Sequence, residues 1–491
     1  MSEDLILALD IGTSGLRGAL FDRFGKKIPS SEARINLKPN AAARLGSELD
    51  ARTVVRNAVA IIDTVINNAG GDIAWIAASS LWHTLIGMDA NRRPTTPVFT
   101  WADNRGRDQA VFLRRHFDES TIHGRVGARF HQSFWPAKLL WLRDEHEETW
   151  RQTKKWLSLP DFLTLSFCGE AVTSVSIASG TGVFNIRSLD WDAELVEFLR
   201  LKTSHLSEIA ADGHGLSLLP KFRQRWPRLR NAKWLPAIGD GAAANLGSGS
   251  SRKDRAALSI GTSAALRILY RGEPPDRMPK GLFCYRADSR RIVLGGALSD
   301  GGFLLDYLKS LLAVPGNAKS LDRKILARET SGISFLPFVN GERNTGYHPY
   351  ARGAIFGLQA TSDSIDILKS AIEGIGFRLA AILEEIQSVA RLREIVGSGG
   401  AFCSSRALQQ TIADIFGRKI LVSRDCDASL RGAALHAAET TGKIVRIETV
   451  AKTSRSSVNP DPVRRRYYAT ERERHNALYQ LFFQSNLIES K

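Results

Sequence analysis

Two aspartates in this sequence stand in glycine-bounded turns, where a carboxylate can meet a ligand. Asp240 follows the apolar run Leu235 to Ile238, and Gly239-Asp240-Gly241 turns sharply into Ala242 to Leu246, a helix opening. A carboxylate at such a strand end can accept a proton, and the helix N-terminus behind it favours a nearby anion such as a phosphate. The same residue could also serve only as a helix cap. Asp10 ends the apolar run Leu5 to Leu9, and Gly12, Thr13, Ser14 and Gly15 crowd the turn after it. Glycines there let backbone N–H groups approach a ligand closely. With two hydroxyls and a carboxylate, the set suits a phosphate accompanied by Mg²⁺.

Gly-Thr-Ser alone is common in ordinary hairpin turns, but this chain repeats it. Residues Ala8, Leu9, Ile11, Gly12, Thr13 and Ser14 match Ala257, Leu258, Ile260, Gly261, Thr262 and Ser263, and the informative difference is Asp10 against Ser259. Both copies offer hydroxyls and N–H groups to phosphates, and the first alone brings a carboxylate for a metal. An echo about half a chain apart predicts two similar domains facing each other across a nucleotide. The pattern resembles the actin-like (ribonuclease H-like) α/β ATPase fold shared by sugar kinases, actin and the large heat-shock chaperones.

The elements that must position these turns are legible in part. Apolar positions from Val54 to Ile66 predict a helix over about Asp50 to Asn68, with Asp50 as N-cap and Gly70 as stop. A strand from Ile73 to Ala78 follows, so Trp82 and His83 fall just past a strand's C-terminal end, where open α/β sheets place ligands. Trp101, Asp103, Asn104 and Arg105 cluster before a helix. An aromatic face with polar neighbours suits a polyhydroxylated ligand, and a capped helix start explains the cluster equally well. Gly397, Gly399 and Gly400 offer a flat surface for a purine ring. Residues 335–358 read as loop with a domain-positioning role, and a helix is expected from Ser364 to about Leu392. Gly247–Ser251 is the best linker, which divides the chain into 1–248 and 249–491 and offers a hinge.

At 491 residues, 43% hydrophobic and 24% charged, the chain has an ordinary globular composition. Its net charge of +16 attracts anions nonspecifically, but no nucleic-acid recognition signature occurs. The first residues do not read as a signal peptide and no apolar run reaches membrane-spanning length, so a cytoplasmic protein without a membrane partner is expected. Cys168, Cys284, Cys403 and Cys426 are widely spaced and predict reduced thiols. No P-loop, dinucleotide fingerprint or zinc motif is present.

The motifs together resemble the FGGY carbohydrate kinases over nearly the whole chain. DIGTS at 10–14 and SIGTS at 259–263 resemble the family's two phosphate motifs, GDGAAANLG at 239–247 its catalytic-aspartate segment, and GSGGAFCSS at 397–405 its adenosine segment. GAIFGLQATSDSIDILKSAIE at 353–373 matches its second signature closely. HTLIGMD, TPVFTWADNR and FNIRSLDWD look most like gluconate kinases. The resemblance implies transfer of the ATP γ-phosphoryl to a sugar or sugar-acid hydroxyl, with Asp240 as general base and Mg²⁺ on Asp10. It implies that Gly12, Thr13, Ser14, Arg17, Gly261, Thr262, Ser263, Gly302, Gly400 and Ser404 bind the nucleotide. Trp82, His83, Trp101, Asp103, Arg105 and Gly241 would line the sugar pocket, with Arg105 set against a carboxylate if the acceptor is gluconate. Xylulose, ribulose and other polyols are the alternatives within the family, an actin-like ATPase without kinase activity is the alternative outside it, and a homodimer stays open. Leu81 and Ser404 depart from the family pattern, which bears on sugar and base recognition.

Overall fold

The structure, a computed structural model, describes residues 5–13, 15–37, 46–68, 70–312, 314, 317–423, 428–450 and 454–484. The apolar run at the start forms a strand, Leu5–Gly12, buried on both faces. It pairs antiparallel with Gly15–Phe21 and parallel with Ile73–Ser80. The sheet continues through Ala33–Asn36 at one end and Lys233–Trp234 and Leu216–Ser217 at the other, while Ile238–Gly239 also pairs with Ile73–Ser80. Ser14 lies outside the described residues.

The repeat is structural as well as sequential. Arg255–Ile260 pairs antiparallel with Ala264–Arg271 and parallel with Glu394–Ser398, the same local arrangement as around the first hairpin. Phe283–Asp288 and Arg291–Leu298 extend this second sheet on one side, Ile420–Ser423 and Ser454–Val458 on the other. A central strand flanked on both sides has no free edge, so its apolar run is wholly buried, as expected of strands in covered sheets.

The predicted helices form where the periodicity puts them. Ala51–Asn67 buries Val54, Ile61, Ile62, Val65 and Ile66, and Asp50 accepts a hydrogen bond from the Thr53 amide. The long helix of the second half runs Ser364–Gln387, shorter than expected, behind a capping box formed by Asp363 and Asp366. Helix Asp240–Gly247 crosses helix Ala428–Thr440 at bare backbone. A Cβ on Gly247 would stand 1.8 Å from the Ala428 carbonyl oxygen, and one on Gly432 would stand 1.8 Å from that of Ala243. Ala428–Thr440, from the second half, also packs on the strands Leu5–Gly12 and Ile73–Ser80 of the first.

The Gly247–Ser251 stretch, expected as linker and hinge, is a packed turn. Ser248, Ser250 and Ser251 are buried, the Ser250 amide bonds the Asn245 carbonyl, and the Asn245 side chain holds the Ser250 and Arg267 carbonyls. One expectation, on the cysteines, needs correction. Reduced thiols are found at Cys168 and Cys284, both buried, whereas Cys403 is disulfide-bonded. Spacing along the chain carries no information on which thiols meet in space. Among the described residues no helix is long and apolar enough to cross a membrane.

Candidate active site

A cavity of about 750 Å³ opens between the two hairpins. Of the residues expected at a nucleotide or metal, Asp10, Gly12, Thr13, Arg17, Gly261, Thr262, Ser263, Gly302, Gly400 and Ser404 all line it, as do Trp101, Asp240 and Gly241. The second hairpin is tight: the Gly302 amide bonds the Gly261 carbonyl, and a Cβ on Gly302 would lie 2.6 Å from that oxygen. Open space surrounds Gly261 and Gly400, where a side chain would meet nothing within 4 Å. These are surfaces on which a phosphate or a flat ring can lie against backbone. Phe303 and Tyr307, stacked with ring centres 6.1 Å apart, add an apolar wall that the sequence reading did not include.

Asp10 is buried, accepts a hydrogen bond from Ser79 Oγ and pairs with Arg17, its cross-strand partner in the hairpin. Ser259 takes the equivalent place in the second copy and also lines the cavity. Asp10 thus supplies hard carboxylate oxygens beside phosphate-binding turns. That donor set suits Mg²⁺, which commonly takes one or two carboxylates, substrate phosphate and water. Among the described residues no group of three or more ligating side chains could hold a metal by itself.

Asp240 opens its helix, and its Oδ1 accepts from the Gly241 amide at 2.7 Å. Burial raises its pKa above the ordinary value. Arg267 pulls it down, Asp10 pushes it up, and Arg343 pulls it down. Arg267 and Arg343 were absent from the sequence-derived set. Arg267 lies over Gly241, where a Cβ would be 2.9 Å from its Nε. Arg343 projects from the 335–358 segment, spans 5.2 Å to the Trp101 ring, and its Nη2 stands 3.2 Å from His83 Nε2. That segment touches the first half where Arg114 donates to the Tyr347 carbonyl, and it also delivers this guanidinium to His83. A charged residue in the middle of an apolar strand, five positions past a phosphate hairpin, was the signal available for Arg267. Arg343, in a loop without periodicity, gave none.

The expected sugar-pocket residues divide. Trp101 faces the cavity and bonds Thr13 Oγ1 from Nε1 at 3.1 Å, tying its loop to the first hairpin. Trp82 is buried beneath Gly239 and Gly241 and bonds the Ser176 carbonyl. It forms the floor under Asp240 rather than the cavity lining. His83 has left-handed backbone (φ 67°), and its Nδ1 meets the Gly180 carbonyl. Burial holds its pKa well below the usual imidazole range, so a neutral ring donates from Nδ1 and accepts Arg343 at Nε2. Asp103 and Arg105 do not reach the cavity. Arg105 forks onto Asp103, pairs with Glu48 at 2.6 Å, and lies over the Phe99 and Trp141 rings. Its charge is spent on two carboxylates, so the expectation that it meets an acceptor carboxylate is corrected.

Beneath these groups Lys138, only 1% exposed, donates to the carbonyls of His83, Thr100 and Ser133 at 2.7, 2.8 and 2.8 Å. One ammonium therefore fixes three segments around Trp101 and His83.

Two hairpin-bearing halves around a cleft, with an aspartate at a helix start between them, define a phosphotransferase of the actin-like ATPase fold. Residues 5–227 match the N-terminal domain and residues 256–440 the C-terminal domain of the FGGY family of carbohydrate kinases. The chain belongs to that family and is an ATP-dependent sugar kinase. It is 25% identical over 482 residues to a gluconokinase of Bacillus subtilis, covering 93% of this chain and 92% of that protein. It is 25% identical over 441 residues to a xylulose kinase of Staphylococcus xylosus, covering 88% and 90%. Solved structures of a xylulose kinase and a gluconate kinase from Lactobacillus acidophilus share its fold. Their TM-scores are 0.89 and 0.88, each at 24% identity, covering 97% and 98% of this chain and 98% of each of those.

Proposed function

We propose that the chain transfers the γ-phosphoryl group of ATP to a hydroxyl of gluconate, with Asp240 as general base. The observation that carries this is the position of Asp240 in the cavity wall, between both phosphate hairpins and beside Trp101, Arg267 and Arg343. Phosphoryl transfer needs alignment and charge neutralisation more than covalent help. Asp240 orients the acceptor hydroxyl and takes its proton as the new P–O bond forms. Its raised pKa brings it nearer the range of a useful base, and the expected gain is about 10²–10⁴-fold. Thr13, Thr262 and the hairpin amides bind phosphate oxygens from two sides. Asp10 would hold Mg²⁺, which when bound neutralises charge on the phosphates. Trp101 covers the C–H face of the sugar, and exclusion of water from the cavity protects ATP from hydrolysis.

Gluconate is supported by gluconokinases of two Bacillus species among the relatives and by the cationic acceptor end. Xylulose is the second reading, because xylulose kinases match at equal identity. ADP release with Mg-ATP and gluconate, xylulose, ribulose or glycerol separates them. Gluconate-dependent turnover that Asp240→Asn lowers by about 10²–10⁴-fold is the expected result. Turnover with xylulose alone replaces the acceptor, and sugar-independent hydrolysis that Asp240→Asn leaves unchanged overturns the mechanism.

A further inference from the structure

Asp240, Arg267 and Trp101 line the cavity, Arg343 stands just outside that lining against Trp101 and His83, and the group carries more positive charge than its protein neighbours answer. Arg267 and Arg343 both bear on Asp240 and on one another. Among the described residues neither has a carboxylate within ion-pair distance, whereas nearby Arg105 has two. Arg267 Nη1 is buried without any hydrogen-bond partner. A buried guanidinium donor left unmatched is costly, and native proteins seldom keep one without use. Arg343 spends an Nη2 contact on His83 and leaves the rest of its fork free.

These two side chains converge from separate segments of the second half. Arg267 comes along the strand Ala264–Arg271, Arg343 from the 335–358 segment. They meet where Trp82, His83 and Trp101 mark the acceptor side: Trp82 and Arg267 both crowd Gly241, and Arg343 reaches His83 and Trp101. The turn at Gly12–Thr13 adjoins this group through the Trp101–Thr13 bond. We propose that Arg267 and Arg343 form a carboxylate clamp that selects a sugar acid over a neutral sugar of the same chain length.

The clamp rests on the phosphotransfer reading above and adds to it the groups that recognise the acceptor. A planar guanidinium can meet both oxygens of a carboxylate, a geometry that a lysine ammonium or a neutral side chain cannot supply. Burial lowers the pKa of both arginines, that of Arg267 to about 10, yet both stay protonated at neutral pH. An anion between them would relieve their mutual repulsion. It would also hold the far end of the acceptor while a hydroxyl lies at Asp240.

Calorimetric titration of gluconate and of glucitol, the neutral alcohol of the same carbon chain, tests this on wild type, Arg267→Gln, Arg267→Lys and Arg343→Gln. Wild type is expected to prefer gluconate, and Arg267→Gln to reduce that preference by about 10- to 100-fold. Arg267→Lys should recover only part of it. If Arg267→Gln unfolds, Arg343→Gln carries the same expectation. An equal loss for both ligands, or a loss of affinity for a non-hydrolysable ATP analogue with the preference kept, overturns the clamp and assigns the guanidinium to the phosphates. Wild-type turnover of neutral sugars with no gluconate preference also overturns the clamp while leaving the kinase mechanism intact. Absence of turnover with every polyol strikes the mechanism itself.

Discussion

Lys138→Met removes the ammonium that joins the carbonyls of His83, Thr100 and Ser133. Methionine keeps much of the length and volume and offers no donor. Each carbonyl left without its donor costs about 1–3 kcal/mol, or roughly 6 kcal/mol for three at mid-range. Against this stands the burial of the charge itself, which pushes the lysine from 10.5 to about 7. That fall is equivalent to about 5 kcal/mol that methionine does not incur. The two nearly cancel, so the variant should stay folded with a melting temperature within about 5 °C of wild type. Position does not cancel. His83 and Thr100 frame the acceptor end, and a small misplacement there can lower turnover by about 10²-fold. Acceptor kcat/KM should therefore fall by about 10- to 100-fold while the KM for ATP holds. The pH dependence has a definite sign. The folded-state pKa lies below the unfolded one, so between about pH 7 and 10 the unfolded chain binds more protons, and wild-type stability gains with rising pH. Lys138→Met lacks this gain, and the melting-temperature gap should widen in favour of wild type across that window. A folded variant with unchanged acceptor kcat/KM would refute the positioning argument. A collapse of more than about 15 °C would refute the cancellation.

Three further outcomes follow from the geometry. Because Asp240 titrates above its ordinary value and Arg267 holds it down, kcat/KM should drop on the acid side through a raised pKa. In Arg267→Gln that limb should move to higher pH, and a downward or absent move in a pH–rate profile counts against the coupling. Gly239→Ala sets a methyl 1.9 Å from Trp82 Cε2, and Trp82 is pinned by its bond to Ser176. Overpacking of this kind costs about 1–3 kcal/mol or more, so thermal unfolding should shift down by several degrees with loss of acceptor turnover. Arg105→Gln leaves Asp103, 1% exposed, without its fork. Breaking a buried pair costs about 3–5 kcal/mol, less here because Arg105 is 20% exposed. Stability should fall while the gluconate-to-glucitol preference is kept, and a lost preference would return the carboxylate to Arg105.

Much of the scaffold was legible because its signals are local. The hairpins announced themselves by repetition, and Ala51–Asn67 by an apolar stripe behind a capping aspartate. The cavity-lining turns were legible for the same reason: glycines and hydroxyls in a turn act through backbone that the turn itself defines. The acceptor side depends on long-range contacts, and there the reading mixed wall with framework. Asp103 and Arg105 lie two residues apart and satisfy each other, which no spacing rule distinguishes from a pair aimed at a sugar. Trp82 is as aromatic as Trp101, and only the glycines packed over it reveal a floor. Arg343 arrives from more than two hundred residues beyond His83, so its presence beside that imidazole could not be read from either segment.

The crossing of Asp240–Gly247 on Ala428–Thr440 has a mechanical consequence. Helices usually interlock through ridges and grooves, and turning one against the other means lifting side chains out of their seats. Here Gly247 and Gly432 bring backbone against backbone, and Arg431, beside Gly432, fastens the crossing by donating to the Gly247 carbonyl. The two halves are thus joined at this point by backbone contact and a buried hydrogen bond. Asp240 begins the very helix that crosses there, seven residues from Gly247. The geometry is that of a pinned joint: the carboxylate proposed as base begins the helix held there, so its place is set by the contact that ties the two halves together.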